Sequence, residues 1–164
     1  MLFDFANKVV LITGAGRGLG KHMALAFART GADLVIAARN QRELEEVAEE
    51  VKATGQKVII SCTDVSQYAS VEAMIQNVKD HFGRLDILVN NAGVVIAKPL
   101  FALSEKDLDY MFDVNVKGVA FTTKFASELM MERRQGKIIN ISSFAGKVGY
   151  AMLSAYSASK FAVI

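Results

Sequence analysis

Short apolar runs alternate with longer amphipathic segments along this chain. Residues 9–12 are four consecutive apolar positions closed by Thr13-Gly14, and predict a buried strand. Residues 21–30 then carry Met23, Ala24, Phe27 and Ala28 at helical spacing, and Gly31 ends the segment. A second strand is expected over 34–37. A helix follows over 41–53, with Leu44, Val47, Ala48 and Val51 on one face and glutamates on the other. A third strand over 58–60, a third helix over 71–82 stopped at Gly83, and a fourth strand over 85–89 come next. Ser104 and Asp107 have the spacing of a capping box for a helix opening at Glu105. Residues 114–131 predict one long helix, 137–141 a fifth strand, and Ser157 onward the start of another helix.

Strands that alternate with helices pair in parallel through right-handed crossovers, so the fold class is α/β. The strands are solid apolar runs rather than strict alternations, which fits a doubly wound parallel sheet covered on both faces. The length of 164 residues predicts a single domain over 1–164 with room for a substantial core. No linker, repeat or low-complexity stretch interrupts it, and the one proline, Pro99, falls in the loop after strand four.

The segment Thr13-Gly14-Ala-Gly16-Arg17-Gly18-Leu19-Gly20 lies between the first strand and the first helix. Glycines there permit positive φ and let backbone approach a phosphate, while a helix N-terminus supplies free N–H groups and the positive end of a dipole. The common G-x-G-x-x-G spacing does not fit. Thr-Gly-x-x-x-Gly-x-Gly does, with Gly14, Gly18 and Gly20. A dinucleotide pyrophosphate is the expected ligand. At the end of strand two, where NAD-binding chains place an acid for the ribose hydroxyls, this chain has Ala37-Ala38-Arg39. Asp33 lies at the opposite end of that strand. Arg39, with Arg17 from the loop, suits a 2′-phosphate, so NADP(H) is the preferred cofactor and NAD(H) the second choice.

Tyr156 and Lys160 stand at i and i+4 on one helical face. An ammonium beside a phenol favours the phenolate and lowers a pKa that starts near 10. Such a tyrosine can give and take a proton. Ser143 lies thirteen residues upstream of Tyr156, and that spacing favours it over its neighbour Ser142. Ser143, Asn91 and Asp64 follow strands five, four and three, on the carboxyl edge of the sheet where ligands of open α/β sheets bind.

With these motifs in this order, the chain resembles the short-chain dehydrogenase/reductase family along essentially its whole length. The resemblance rests on Thr13-Gly14…Gly18-Leu19-Gly20, Asp64-Val65, Asn90-Asn91-Ala92-Gly93, Asn115, Ser143 and Tyr156…Lys160. It implies a Rossmann-type sheet and an NADP(H)-dependent oxidoreductase that interconverts a carbonyl and a secondary alcohol. It implies Tyr156 as acid/base and Lys160 as the partner that lowers its pKa and holds the nicotinamide ribose. Ser143 would hydrogen-bond the substrate oxygen, and Asn115 would anchor a water linking Lys160 to solvent. Asp64 and Val65 would contact adenine, and Asn91, Ala92 and Gly93 would line the ribose and nicotinamide. The glycine loop with Gly16, Arg17 and Leu19 would hold the pyrophosphate. Within the family the chain is similar to 3-oxoacyl-[acyl-carrier-protein] reductases, and its opening Leu2-Phe3-Asp4-Phe5 is similar to sugar-acid reductases such as gluconate 5-dehydrogenase. The substrate implied is a small-molecule or carrier-bound carbonyl/alcohol pair. Members assemble as homodimers or homotetramers through the helices that here begin near Val114 and Ser157.

Composition narrows the rest. The chain is 52% hydrophobic and 22% charged, as in a globular domain, and its net charge of +2 does not argue for nucleic acid. The single cysteine, Cys62, lies in an apolar run and is expected to be a small buried hydrophobe. One cysteine and no signal peptide point to the cytoplasm. No apolar stretch is long enough for a membrane span. His22 and His81 stand singly, so no metal is expected. Family members continue beyond the Tyr-x-x-x-Lys motif, so the domain is expected to be truncated here, with the C-terminal strands and substrate helices absent and an edge left at strand five. A non-catalytic dinucleotide-binding fragment or sensor is the alternative function. If Arg39 selects the cofactor, Arg39→Asp shifts preference toward NAD(H), measured as the two dissociation constants. Unchanged affinity for both would sink the assignment.

Overall fold

The computed structural model describes residues 4–164; Leu2 and Phe3 of the opening motif lie outside the described residues. Five strands, β1 (Val9–Thr13), β2 (Asp33–Ala38), β3 (Val58–Cys62), β4 (Ile87–Asn90) and β5 (Lys137–Asn140), form one parallel sheet in the order β3-β2-β1-β4-β5. Six α-helices connect or follow them: α1 (Gly18–Arg29), α2 (Gln41–Lys52), α3 (Tyr68–Phe82), α4 (Glu105–Phe112), α5 (Gly118–Glu132) and α6 (Ser154–Phe161). The alternation of side chains along each strand sorts the core into two layers. Val10, Ile12, Leu34 and Ile36 pack with Ala24 and Ala28 of α1 and with Leu44, Val47 and Val51 of α2. Val9, Leu11, Val35 and Leu88 pack with Val71, Met74 and Val78 of α3 and with Phe125, Ala126 and Leu129 of α5. The doubly wound parallel sheet read from the apolar runs is the one observed. β3 and β5 form its edges, and on β5 Ile139 is 43% exposed. Among the described residues no helix is long and apolar enough to cross a membrane.

The structure departs from the sequence expectations at several places; the third helix opens at Tyr68 rather than Val71 and the last at Ser154 rather than Ser157. The first helix opens at Gly18 rather than Lys21, so the last glycines of the loop are its first turn. The fourth strand opens at Ile87 rather than Leu85. The helix expected over 114–131 is instead a π turn, Asp113–Lys117, joining α4 without a break to α5. Cys62 is exposed, not buried. It ends an edge strand, where Ser61 turns inward and the next side chain must turn out; its Sγ donates to the Arg39 carbonyl at 3.4 Å.

One buried carboxylate fastens the amino ends of the central strands β1 and β4. Asp86 is 6% exposed, and its Oδ2 accepts the Val9 N–H at 2.9 Å. Lys8, Arg84 and Arg133 surround it at 3.9, 3.3 and 3.7 Å. These cations come from the start of β1, the start of β4 and the end of α5, so the carboxylate fastens three segments at once. Asp86→Ala leaves the Val9 N–H unpaired in the interior and removes the anion shared by three cations. We expect a loss of about 2–3 kcal/mol in urea unfolding. An unchanged midpoint would show that the carboxylate fastens nothing.

Candidate active site

The strand order reverses direction at β1: β2 and β3 lie on one side of it, β4 and β5 on the other. The crevice beyond the carboxyl ends of β1 and β4 is therefore the switch point where ligands of such sheets bind. Thr13 closes its floor. The Thr13 Oγ1 accepts the N–H groups of Asn91 and Ala92, both at 3.1 Å. The Asn91 side chain answers by donating Nδ2 to the carbonyls of Thr13 at 3.0 Å and Gly14 at 3.2 Å.

The glycine loop curls tightly above this floor. Gly14 has φ +65°, and a Cβ there would stand 2.9 Å from the Ala92 Cα. A Cβ on Gly20 would run into the Gly14 carbonyl oxygen and stand 2.7 Å from Asn91 Nδ2. A Cβ on Gly16 would meet Glu43 Oε2 at 2.9 Å. Gly18 has φ +53° and faces open space. Arg17 precedes α1 in an extended conformation, its side chain makes no capping bond, and the first turn holds no acid. The free N–H groups and positive dipole end of α1 are thus left for an anion.

A cleft of about 770 Å³ opens here, lined by Gly14, Gly16, Arg17, Gly18, Leu19, Gly20, Arg39, Asp64, Val65, Asn91, Ala92 and Gly93. Arg17 and Arg39 have no ion-pair partner among the described residues. Asp64 is oriented by Ser66, whose N–H and hydroxyl donate to Oδ1 at 3.0 and 2.7 Å. Val65 packs against the start of α5 at Gly118, where a Cβ would stand 2.9 Å from its Cγ2. Glu43, Thr63, Val94 and Val114 also line the cleft and were not singled out from the sequence. Thr63 follows β3 and was reachable from strand register. Glu43 was reachable from its place in the first turn of α2, which Asn40 caps.

A second group of predicted residues adjoins the cleft through Gly93. A Cβ on Gly93 would stand 3.3 Å from Asn115 Oδ1 and 3.4 Å from Lys160 Nζ. Asn115 is fully buried in the π turn. Its Oδ1 accepts the Val94 N–H at 2.8 Å, and its Nδ2 donates to the Val94 carbonyl at 2.8 Å and to Ser159 Oγ at 3.0 Å. Lys160 is 5% exposed and donates Nζ to the Ile141 carbonyl at 2.9 Å; burial pushes its pKa below the usual lysine value. Ser142 donates its hydroxyl to the Lys160 carbonyl at 2.8 Å. Ser143 Oγ accepts the Ala145 N–H at 3.1 Å, which leaves its own proton free. Tyr156 is half-buried on α6, and its hydroxyl has no hydrogen-bond partner among the described residues. Neither Ser143 nor Tyr156 lines the cleft, and the Lys160 ammonium is held by Ile141 rather than by the phenol. His22 and His81 each bond a carbonyl of their own helix, Gly18 and Asn77, at 2.7 and 2.9 Å.

Residues 8–164 match the profile of the short chain dehydrogenase family. The chain belongs to that family. Among short-chain dehydrogenases it is 40% identical, over 96% of its length, to galactitol 2-dehydrogenase of Agrobacterium fabrum, and it covers 61% of that protein. A metagenomic short-chain oxidoreductase solved in complex with NADP superposes with TM-score 0.93 at 34% identity, over 97% of this chain and 72% of that one. A short chain dehydrogenase/reductase from Burkholderia phymatum solved in complex with NAD superposes with TM-score 0.95 at 36% identity, over 98% of this chain and 58% of that one. The chain thus spans about three fifths of the length of the galactitol enzyme it matches.

The closest backbone approach in the cleft is Gly20 on Gly14. Gly20→Ala forces the loop away from α1 and is expected to weaken dinucleotide binding at least tenfold, measured by quenching of NADPH fluorescence on titration. Binding within twofold of the unsubstituted protein would mean that the loop does not set the cleft.

Proposed function

We propose that this chain is the dinucleotide-binding and catalytic domain of an oxidoreductase that interconverts a carbonyl and a secondary alcohol with a nicotinamide dinucleotide. The observation that carries the proposal is the junction at Gly93 and Val94, where a glycine-walled cleft meets the buried pair Asn115 and Lys160. The fit to a dinucleotide rests on three features. The glycine cradle excludes side chains, the α1 N-terminus lacks an acid, and Arg17 and Arg39 line the cleft without anionic partners. When bound, the nicotinamide ring supplies or takes up the hydride.

The chain's own residues handle the proton. Tyr156 gives its phenolic proton to the carbonyl oxygen in reduction and takes one from the alcohol in oxidation. The free hydroxyl proton of Ser143 hydrogen-bonds the same substrate oxygen. Lys160, once turned from the Ile141 carbonyl, presents an ammonium that favours the phenolate and reaches the nicotinamide-side ribose. Asn115 fixes the loop at Val94 and the helix at Ser159, so the cleft wall and Lys160 keep one spacing. NADP(H) is the cofactor favoured, because Arg17 and Arg39 offer two uncommitted guanidiniums to a 2′-phosphate. Glu43 beside Gly16 favours a second reading, NAD(H), since a carboxylate there can accept ribose hydroxyls. Similarity to galactitol 2-dehydrogenase supports polyols and their ketones as the first substrates to try. Carrier-bound 3-oxoacyl groups come second. Assembly into a dimer or tetramer through α5 and α6 belongs to the same reading.

A non-catalytic dinucleotide sensor is favoured by one observation, the unpartnered Tyr156 hydroxyl with Lys160 bonded elsewhere. NADPH oxidation over a panel of ketones decides between the two. For the enzyme we expect turnover that falls about 10²–10⁴-fold in Tyr156→Phe while NADPH affinity changes far less. NADPH binding without turnover on any ketone by a full-length chain would support the sensor.

A further inference from the structure

Arg39 leaves β2 at the rim of the cleft, and its backbone is pinned from both sides. The Ala37 carbonyl accepts the Ala15 N–H at 3.0 Å and the Ala38 carbonyl accepts the Thr63 N–H at 2.9 Å. The Arg39 carbonyl itself accepts Cys62 Sγ at 3.4 Å. Its side chain has no carboxylate within ion-pair distance among the described residues. One group does hold it: the guanidinium carbon stands 5.9 Å from the centroid of the Tyr110 ring, over the ring. Tyr110 belongs to α4, four residues before Val114, which lines the cleft, and it is 37% exposed. A cation over an aromatic face is attracted by the ring quadrupole. No hydrogen bond or ion pair takes a donor of the Arg39 guanidinium among the described residues, so its five N–H groups stay available beside the ring.

We propose that Tyr110 is a positioning residue for cofactor choice, holding the Arg39 guanidinium over its ring so that the in-plane donors stay ordered for a 2′-phosphate. The proposal rests on the NADP(H) reading of Arg39. The ring lowers the rotamer freedom that the arginine loses on binding, so its contribution falls on ligands with the 2′-phosphate and not on those without it. The cleft then draws its selectivity from two segments distant in sequence, the end of β2 and the face of α4.

The test is calorimetric titration of the protein with adenosine 2′,5′-bisphosphate and with AMP, which differ only by the 2′-phosphate. We expect the unsubstituted protein to prefer the bisphosphate. Tyr110→Ala and Tyr110→Leu should each cut that preference about two- to fivefold with AMP affinity unchanged. Tyr110→Phe keeps the ring and should keep the preference. In an Arg39→Ala background, Tyr110→Ala should add nothing. The proposal is overturned if Tyr110→Ala leaves the preference intact, weakens both ligands equally, or still acts without Arg39. If Arg39→Ala itself leaves the preference intact, the NADP(H) reading of Arg39 falls first and the role of Tyr110 falls with it.

Discussion

The packing of Gly20 against the Gly14 carbonyl, under the side chain of Asn91, is the contact on which the cleft depends. The loop after β1 must reverse within a few residues to start α1 over the sheet edge, and only a residue without Cβ can enter the helix so close to the loop's own backbone. Asn91 then bonds the carbonyls of Thr13 and Gly14, while Thr13 takes the N–H groups of Asn91 and Ala92. Four bonds therefore tie the ends of β1 and β4, the two strands whose divergence makes the crevice. These bonds tie the floor together, and the walls are open because the glycines add nothing to fill them. The helix dipole and the uncommitted arginines act on that open space.

The same device joins the cleft to the buried Asn115 and Lys160. Beyond the floor, the chain from Ala92 to Val94 runs against Asn115, and Gly93 is small enough to let Asn115 and Lys160 come within contact distance of the backbone. Asn115 meets both the N–H and the C=O of Val94, as a strand neighbour would, and also reaches Ser159 one residue before Lys160. A side chain bonded on two sides in this way requires a set orientation of its helix. The wider π turn at Asp113–Lys117 supplies it, and α4 and α5 continue through it unbroken. Such π turns are frequent at functional sites.

How much of this was legible in the sequence follows the distance over which each cause acts. The glycine loop, Asp64-Val65 and Asn91-Ala92-Gly93 are short motifs at strand ends, and all of them line the cleft. Their roles come from local backbone and from the edge of the sheet they occupy, and both can be read from strand order. The π turn was not legible, because no helix-breaking residue marks it and the Val94 backbone that Asn115 meets there is brought up only by the fold. Cys62 was misplaced because an apolar run does not reveal that its strand lies at an edge. The meetings of Tyr110 with Arg39 and of Glu43 with Gly16 were not legible, since they exist only after α4 and α2 have docked. Tyr156 and Lys160 share a helix face as their spacing says, yet the spacing is silent about the Ile141 carbonyl that takes the ammonium.

That last bond shows why Lys160 is hard to explain as a structural residue. Burial lowers its pKa, so the ammonium is disfavoured in the folded state relative to the unfolded chain. A group of this sign contributes stability that rises as pH climbs from its folded pKa toward 10.5, and below that window it is a net cost. One carbonyl at 2.9 Å offsets part of the cost, and among the described residues no carboxylate pairs with the ammonium. A methionine of similar length would pack in the same space without desolvating a charge. Strained electrostatics of this kind concentrate where a charge has work to do in another state. Here the ammonium stands at the junction of a dinucleotide cleft and an uncommitted phenol. Under the proposed function, a ribose and a phenolate would both draw it away from Ile141, and the stability lost to its burial would have a use.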